Sequence, residues 1–273
     1  MENLFDLTGR VAIITGGAGL MGPRHAEILA RYGATPVLVD LKDKQPEAVA
    51  KRLSDTMQKE VWGLVCDITK PDLVKQLLAS ILERYGRVDI LINNAANNPK
   101  VEATGLTEWA RFEKFPLSIW EADIAITLTG SFLCCQIIGS EMDRRKSGVI
   151  LNIASDLSVI TPDQRLYRQV GLPRDQQPVK PVTYSVVKTG LIGLTRYLAT
   201  YWADCGIRVN AISPGGVYDN QPEEFVKRLE NLVPMGRMAN VDEWQGAVLF
   251  LCSDASSYIT GINMVIDGGR SLL

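Results

Sequence analysis

The sequence predicts an α/β fold, a doubly wound parallel sheet flanked by helices on both faces. Three observations predict it. Short apolar runs alternate with helical stretches, so that by residue 100 the order reads βαβαβαβ. A glycine-rich turn joins the first strand to the first helix. An acid closes the second strand. Parallel strands need a long crossover between them, and a helix is the usual one.

The elements follow in order. Residues 10–15, Arg-Val-Ala-Ile-Ile-Thr, form a short apolar run closed by glycines, which reads as a buried strand. Gly17, Gly19 and Gly22 then fit G-x-G-x-x-G, and a helical pattern runs from Pro23 to Tyr32. Such glycines allow a tight turn, a close approach of pyrophosphate to backbone, and close helix–strand packing. The free N–H groups and positive dipole of the helix N-terminus then face the phosphates. A second strand, Pro36-Val37-Leu38-Val39, ends at Asp40. That is about 20 residues past the glycines, where a carboxylate accepts hydrogen bonds from ribose hydroxyls. It repels a 2′-phosphate, which favours NAD over NADP, although Lys42 and Lys44 lie close by and soften that preference.

A helix over 45–58, a strand over 61–65, a helix over 71–84 and a strand over 88–92 continue the alternation. Asp67 follows the third strand and has two readings, an acceptor for the adenine amino group or a cap ahead of Pro71. Asn93-Asn94-Ala95-Ala96 follows the fourth strand and suits a tight crossover beside a ligand, which such sheets bind outside the carboxyl ends of their strands. Residues 97–119 read as an irregular excursion, followed by a long helix over 118–145. The fifth strand is 148–154, ending at Ser155, and 156–182 read as a loop. A helix over 183–204, a strand over 207–212, helices over 222–231 and 241–252 and a last strand over 262–266 complete the chain. There is no repeat and no linker, so residues 1–273 read as one domain with 156–182 as an inserted substrate-side loop.

Composition narrows the function classes. Hydrophobic residues make up 46% and charged ones 22% of 273 residues, with a net charge of −2, an ordinary globular balance without a basic field for nucleic acid. No uninterrupted apolar run is long enough for a bilayer, and the acidic start Met1-Glu2-Asn3-Leu4-Phe5-Asp6 is unlike a signal peptide, so a cytoplasmic location is expected. The five cysteines form no CxxC pattern and sit in apolar runs, as buried reduced thiols do. The single histidine, His25, reads as lying on a polar side of the first helix; it cannot build a metal site alone, so no metal is expected.

Tyr184 and Lys188 stand four apart and share one helix face. A phenol has a free pKa of about 10, and an ammonium beside it favours the phenolate.

Together these residues make the chain resemble the short-chain dehydrogenase/reductase family, in its compact single-domain, Rossmann-type form. The markers, in family order, are Thr15-Gly16 with the glycine turn, Asn93-Asn94-Ala95, Asn152-Ile153-Ala154-Ser155, Tyr184-x-x-x-Lys188, Asn210-Ala211-Ile212-Ser213-Pro214-Gly215, and Tyr258-Ile259-Thr260-Gly261 ahead of Asp267-Gly268-Gly269. The resemblance implies an oxidoreductase that passes a hydride between nicotinamide and a secondary alcohol or ketone, in carbohydrate metabolism. Tyr184 is then the general acid/base, Lys188 lowers its pKa and holds the nicotinamide ribose, and Ser155 bonds the substrate oxygen. Gly16, Gly19, Leu20, Met21 and Gly22 would cradle the pyrophosphate, Asp40 the ribose, and Asp67 with Ile68 the adenine. Asn94, Ala95, Ala96, Pro214, Gly215 and Val217 would line the nicotinamide side. A homotetramer or homodimer is implied; separately, the all-round apolarity of the helices through Ile137, Ile138, Leu191, Leu194, Leu198 and Trp202 reads either as an ordinary core or as a face that a subunit contact buries.

The chain departs from the family in three places. Leu20 takes a usual glycine place while Gly19 comes one earlier, a spacing of the sugar-nucleotide-modifying branch. Thr127 stands where an asparagine supports a proton relay to the lysine. Ser155 and Tyr184 have 28 residues between them, a segment carrying Asp163, Arg165, Arg168, Arg174, Asp175 and Lys180. The segment reads either as a surface flap or subunit contact with solvated charges, or as a substrate loop whose Arg165 and Arg168 hold an anionic sugar, a sugar phosphate or nucleotide-sugar, by forked hydrogen bonds. The rival expectations are an NAD-retaining sugar-nucleotide epimerase or dehydratase, against which the 56 residues after Val217 stand, and a weakly catalytic dinucleotide-binding protein.

Overall fold

The computed structural model describes residues 3–98 and 109–273. Seven strands form one parallel sheet in the order β3-β2-β1-β4-β5-β6-β7. They are β1 (Val11–Thr15), β2 (Thr35–Asp40), β3 (Trp62–Val65), β4 (Ile90–Asn93), β5 (Gly148–Ile153), β6 (Ile207–Pro214) and β7 (Asn263–Ile266). Successive side chains of a strand point to opposite faces, and here both faces are covered. Ala12, Ile14, Leu38, Ile90, Ile92 and Leu151 pack on one side with α1 (Gly22–Arg31), α2 (Pro46–Met57) and α7 (Gln245–Cys252). Val11, Ile13, Val37, Val39, Leu91 and Ile150 pack on the other with α3 (Pro71–Tyr85), α4 (Leu117–Arg145) and α5 (Val182–Tyr201). A short α6 (Glu223–Glu230) lies after β6. Pro23, Pro46 and Pro71 open α1, α2 and α3, where a missing N–H costs nothing.

The topology places the site. The chain runs outward from β1 to β2 and β3, then returns to place β4 on the far side of β1. The crossovers diverge between β1 and β4, which leaves a crevice at their carboxyl ends. Asn94 pins that point: its Nδ2 donates to the carbonyls of Thr15 and Gly16 at 3.1 and 3.0 Å. The Thr15 hydroxyl in turn accepts the backbone N–H groups of Asn94 and Ala95.

The expected elements all form, with ends shifted by one to four residues. The excursion over 97–119 falls partly outside the described residues. Four features differ from expectation. The long helix α4 contains a π-turn at Ala125–Thr129, with Thr127 buried in it; such turns mark functional sites more often than chance. The segment 156–182 carries short 3-10 turns at Asp156–Ser158, Gln164–Tyr167 and Arg174–Gln176. The six apolar residues that a subunit contact would also explain pack into the chain's own core between α4, α5 and the sheet, apart from Leu191, which is buried in α5. Burial in the chain's own core accounts for their all-round apolarity. An 18-residue window of α4 also reaches a mean hydropathy of 1.5, the length and apolarity of a membrane span, but Cys134, Cys135, Ile138 and Met142 spend that face on the core. His25 lies inside the protein rather than on a polar side, 1% exposed, and burial pulls its pKa down to about 4.

Candidate active site

A cleft of about 530 Å³ opens at the carboxyl ends of the strands. It runs from Asp40, Lys44, Asp67 and Ile68 past the glycine turn to Asn94, Ala95 and Ala96, then to Ser155, Tyr184, Lys188, Pro214, Gly215 and Val217. Gly16, Gly19, Leu20 and Met21 line it, and Gly22 starts α1 directly behind them. The structure therefore gathers in one place nearly every residue that the sequence singled out.

The glycine turn divides its work. Gly16 has φ of +61°, a conformation that suits glycine, and a Cβ there would sit 2.8 Å from Ala95 Cα. At Gly17 a Cβ would meet Leu38 Cα and the Ile14 carbonyl oxygen, both at 2.8 Å. At Gly19 it would meet only the Gly16 carbonyl oxygen, at 3.3 Å, on the side that lines the cleft. Gly17→Ala is expected to cost about 1–3 kcal/mol of stability by overpacking, read as a lowered melting temperature. Gly19→Ala is expected to leave the melting temperature nearly unchanged and to weaken dinucleotide binding, read by titration of nicotinamide fluorescence.

A dinucleotide fits what is built here. No side chain caps the N-terminus of α1 and its first turn carries no acid, so its free N–H groups and dipole are left to an anion. Asp40 lines the cleft and also bonds the backbone around it. Its Oδ2 accepts the Ala18 N–H at 3.0 Å and its Oδ1 the Leu41 N–H at 2.9 Å, so the same carboxylate that lines the cleft also braces the glycine turn. Asp67 is placed where its capping reading holds. It lines the cleft, and its Oδ1 accepts the N–H and hydroxyl of Thr69, at 2.9 and 2.7 Å, ahead of α3.

At the far end, α5 sets Tyr184 and Lys188 on one face. The start of α5 is held by Thr183, whose hydroxyl donates to the buried Asp123 of α4 at 2.5 Å, and Asp123 also accepts Asn97 Nδ2 at 2.9 Å. Lys188 Nζ donates to the Ile153 carbonyl at the end of β5, at 2.7 Å, and stands 5.9 Å from the centroid of the Tyr184 ring. Burial pulls the Lys188 ammonium down to about 8, and the nearby charge of Lys180 adds to the pull.

Tyr184 differs from the expectation drawn from its lysine alone. Burial pushes the phenol up to about 12; the Ser155 hydroxyl opposes this and the charge of Asp156 reinforces it. Removing solvent from the phenolate outweighs the neighbouring ammonium in the free protein.

Ser155 is oriented from behind. Its Oγ donates to Asp156 Oδ1 at 2.9 Å and accepts the Leu157 N–H at 3.2 Å. Asp156 Oδ2 is paired with Arg270 at 2.7 Å, with Asp156 buried and the Arg270 side chain 9% exposed. Thr127 lies 1% exposed, and its hydroxyl has no hydrogen-bond partner among the described residues.

Arg165 and Arg168 are not brought into the cleft. Arg165 forks onto Asp163 in solvent, with its side chain 73% exposed, and Arg168 is exposed on the same segment. The cations that do line this end are Lys180, Lys188 and Arg270. Asp156 and Arg270 were not singled out from sequence, and Lys180 was named only as one charge of the inserted segment. Asp156 had a signal in following Ser155 directly, whereas Arg270 is 114 residues from its partner and had none. Leu166, Tyr167, Phe225, Leu229 and Met238 form the apolar wall opposite.

Comparison with known proteins agrees with this geometry. The family model described as short chain dehydrogenase matches residues 10–167, and one described as Enoyl-(Acyl carrier protein) reductase matches residues 175–271. The chain is 33% identical to D-threitol dehydrogenase of Mycolicibacterium smegmatis, over 98% of this chain and 95% of that one. It is 34% identical to NAD-dependent glycerol dehydrogenase of Listeria innocua, over 98% and 96%. It is also similar to the crystal structure of a gluconate 5-dehydrogenase from Burkholderia cenocepacia in complex with NADP and tartrate, with a TM-score of 0.81, 28% identity, and coverage of 99% and 98%.

Proposed function

The chain belongs to the short chain dehydrogenase family, and from that premise we propose that it is an NAD-dependent dehydrogenase of a polyol or related sugar alcohol, oxidising a secondary alcohol to a ketone or reducing the ketone. The observation that carries this reading is the convergence of Ser155, Tyr184 and Lys188 in one cleft with the glycine turn.

A nicotinamide bound in the cleft supplies the hydride acceptor or donor. The residues that would hold it are the Gly16–Gly22 turn, Asp40, Asp67, Ile68, the Asn94–Ala96 segment, Lys188 and the Pro214–Val217 segment. On the substrate, the protein moves one proton. In oxidation the substrate hydroxyl gives its proton to Tyr184 Oη as the carbon–hydrogen bond breaks; in reduction the phenol returns it to the carbonyl oxygen. Ser155, whose hydroxyl rests on Asp156, turns that hydroxyl to donate to the substrate oxygen and holds it in place. Lys188 keeps a positive charge in reach of Tyr184, and Thr127 presents its hydroxyl from the π-turn. Full-length similarity to alcohol dehydrogenases favours net oxidation and reduction over cofactor-retaining epimerisation. Buried cysteines without disulfides suit a reducing, cytoplasmic setting. The stacked Tyr197 and Tyr201 on the exposed side of α5 suit self-association, which the native mass tests.

NAD is proposed over NADP on Asp40, whose carboxylate attracts a ribose diol and repels a 2′-phosphate. Formation of reduced cofactor with threitol, glycerol, mannitol and xylitol, each with NAD and with NADP, is the test. Turnover with none of them overturns the substrate class. Asp40→Asn, which keeps an acceptor oxygen and loses the charge, is expected to raise the NADP:NAD ratio of kcat/KM by about tenfold, a difference of about 1.4 kcal/mol.

A further inference from the structure

Among the cations described between Ser155 and Tyr184, Lys180 is the one that the fold buries, at 9% exposure. Its backbone N–H donates to Gln164 Oε1 at 2.9 Å, and its Nζ donates to Asn98 Oδ1 at 2.6 Å. One contact comes from the 3-10 turn of the inserted segment and the other from the segment after β4. Between them they aim the ammonium at the active site, where Nζ stands 4.2 Å from the centroid of the Tyr184 ring. Lys188 Nζ is farther, at 5.9 Å, and is bonded to the Ile153 carbonyl. Of these two cations, the one nearer the phenol is therefore not the one that the Tyr-x-x-x-Lys spacing picks out. Burying an ammonium costs free energy that an apolar residue in the same place would not.

We propose that Lys180 is a positioning cation of the active site, seated on the face of Tyr184 to stabilise its phenolate during alcohol oxidation. The inference rests on the reading of Tyr184 as the proton-transfer residue. An aromatic face attracts a cation, and the attraction grows when the ring carries a full negative charge. Among the described residues, the charged and polar groups facing Tyr184 are Ser155 and Asp156 from the end of β5, Lys188 from α5 and Lys180 from the inserted segment. Asp156 opposes the phenolate, but its charge is matched by Arg270. By their positive charge Lys180 and Lys188 favour the phenolate, and Lys180 disfavours the proton of Lys188. The insertion thereby gives the site a second positive charge, which offsets part of the cost of burying the phenolate.

The test is the pH profile of kcat/KM for alcohol oxidation. Oxidation needs the base form of Tyr184, so removing a cation that stabilises it moves the acid limb to higher pH. Lys180→Met is expected to move that limb up by about one pH unit, with the affinity for the dinucleotide unchanged. Lys180→Arg, which keeps a cation able to stack on the ring, is expected to return the limb close to wild type. Lys180→Gln, which keeps a donor for Asn98 and loses the charge, is expected to repeat the shift and serves if the methionine variant does not fold. An unmoved limb in a folded Lys180→Met or Lys180→Gln overturns the proposal, and so does a raised KM with no shift, which would make Lys180 a substrate contact. Tyr184→Phe run alongside separates the two ideas: retained turnover there removes the reading of Tyr184 itself.

Discussion

Tyr184→Phe is expected to lower kcat by about 10³-fold, the worth of a positioned proton-transfer group, while leaving dinucleotide affinity and melting temperature close to wild type. The substitution removes one oxygen and keeps the ring, so packing at the start of α5 persists. The pH dependence of the parent enzyme sharpens this expectation. Burial pushes the phenol up to about 12 in the free protein. At neutral pH it is therefore a proton donor, the form that serves ketone reduction. Oxidation uses the phenolate, whose fraction grows tenfold with each pH unit below that value. The oxidation rate of the parent is expected to climb with pH from neutrality, and the reduction rate to stay level or fall. A flat, residual rate in Tyr184→Phe at every pH completes the pattern; a phenylalanine variant with normal turnover and the parent pH profile would exclude Tyr184 from the proton transfer.

Arg270→Met is the second large effect, expected on stability. Arg270 Nη1 meets Asp156 Oδ2 at 2.7 Å, with side chains 9% and 5% exposed. Removing one member of a buried pair leaves an uncompensated charge, at a cost of about 3–5 kcal/mol. Burial already raises the Asp156 carboxyl above its ordinary value, with Arg270 the largest opposing influence. The native state thus holds this proton to higher pH than the unfolded chain does. Where the native state binds more protons, stability falls as pH rises. The contribution from Asp156 is greatest below its unfolded pKa and is lost as pH rises through its folded one. Without Arg270 the folded pKa moves up further and the window widens. Arg270→Met is therefore expected to regain melting temperature, relative to the parent, when the pH is lowered from about 7 to about 5. Adding Asp156→Asn is expected to restore much of the lost stability at neutral pH. Turnover should fall in Arg270→Met as well, because Asp156 accepts the Ser155 hydroxyl at 2.9 Å and sets which way it points.

What the sequence by itself determined is local. Val11–Thr15 and Ile90–Asn93 are apolar runs of strand length. Gly17 and Gly22 stand where a Cβ would strike backbone, and Asp40 ends a strand at the distance a ribose-binding acid needs. Periodicity, turn chemistry and helix spacing act over a few residues, so the parallel sheet, the crevice and the Tyr184–Lys188 face were legible in order along the chain. The tertiary structure decided what depends on distant partners and on solvent. It turned Arg165 and Arg168 outward and Lys180 inward, and no spacing rule tells which cation of a loop will be buried. It joined Arg270 to Asp156 across 114 residues. It placed a π-turn at Thr127, where helical periodicity reads an unbroken helix. It also set the direction of the Tyr184 shift, because desolvation sums over everything packed around the phenol, whereas the sequence displays only the lysine one turn away.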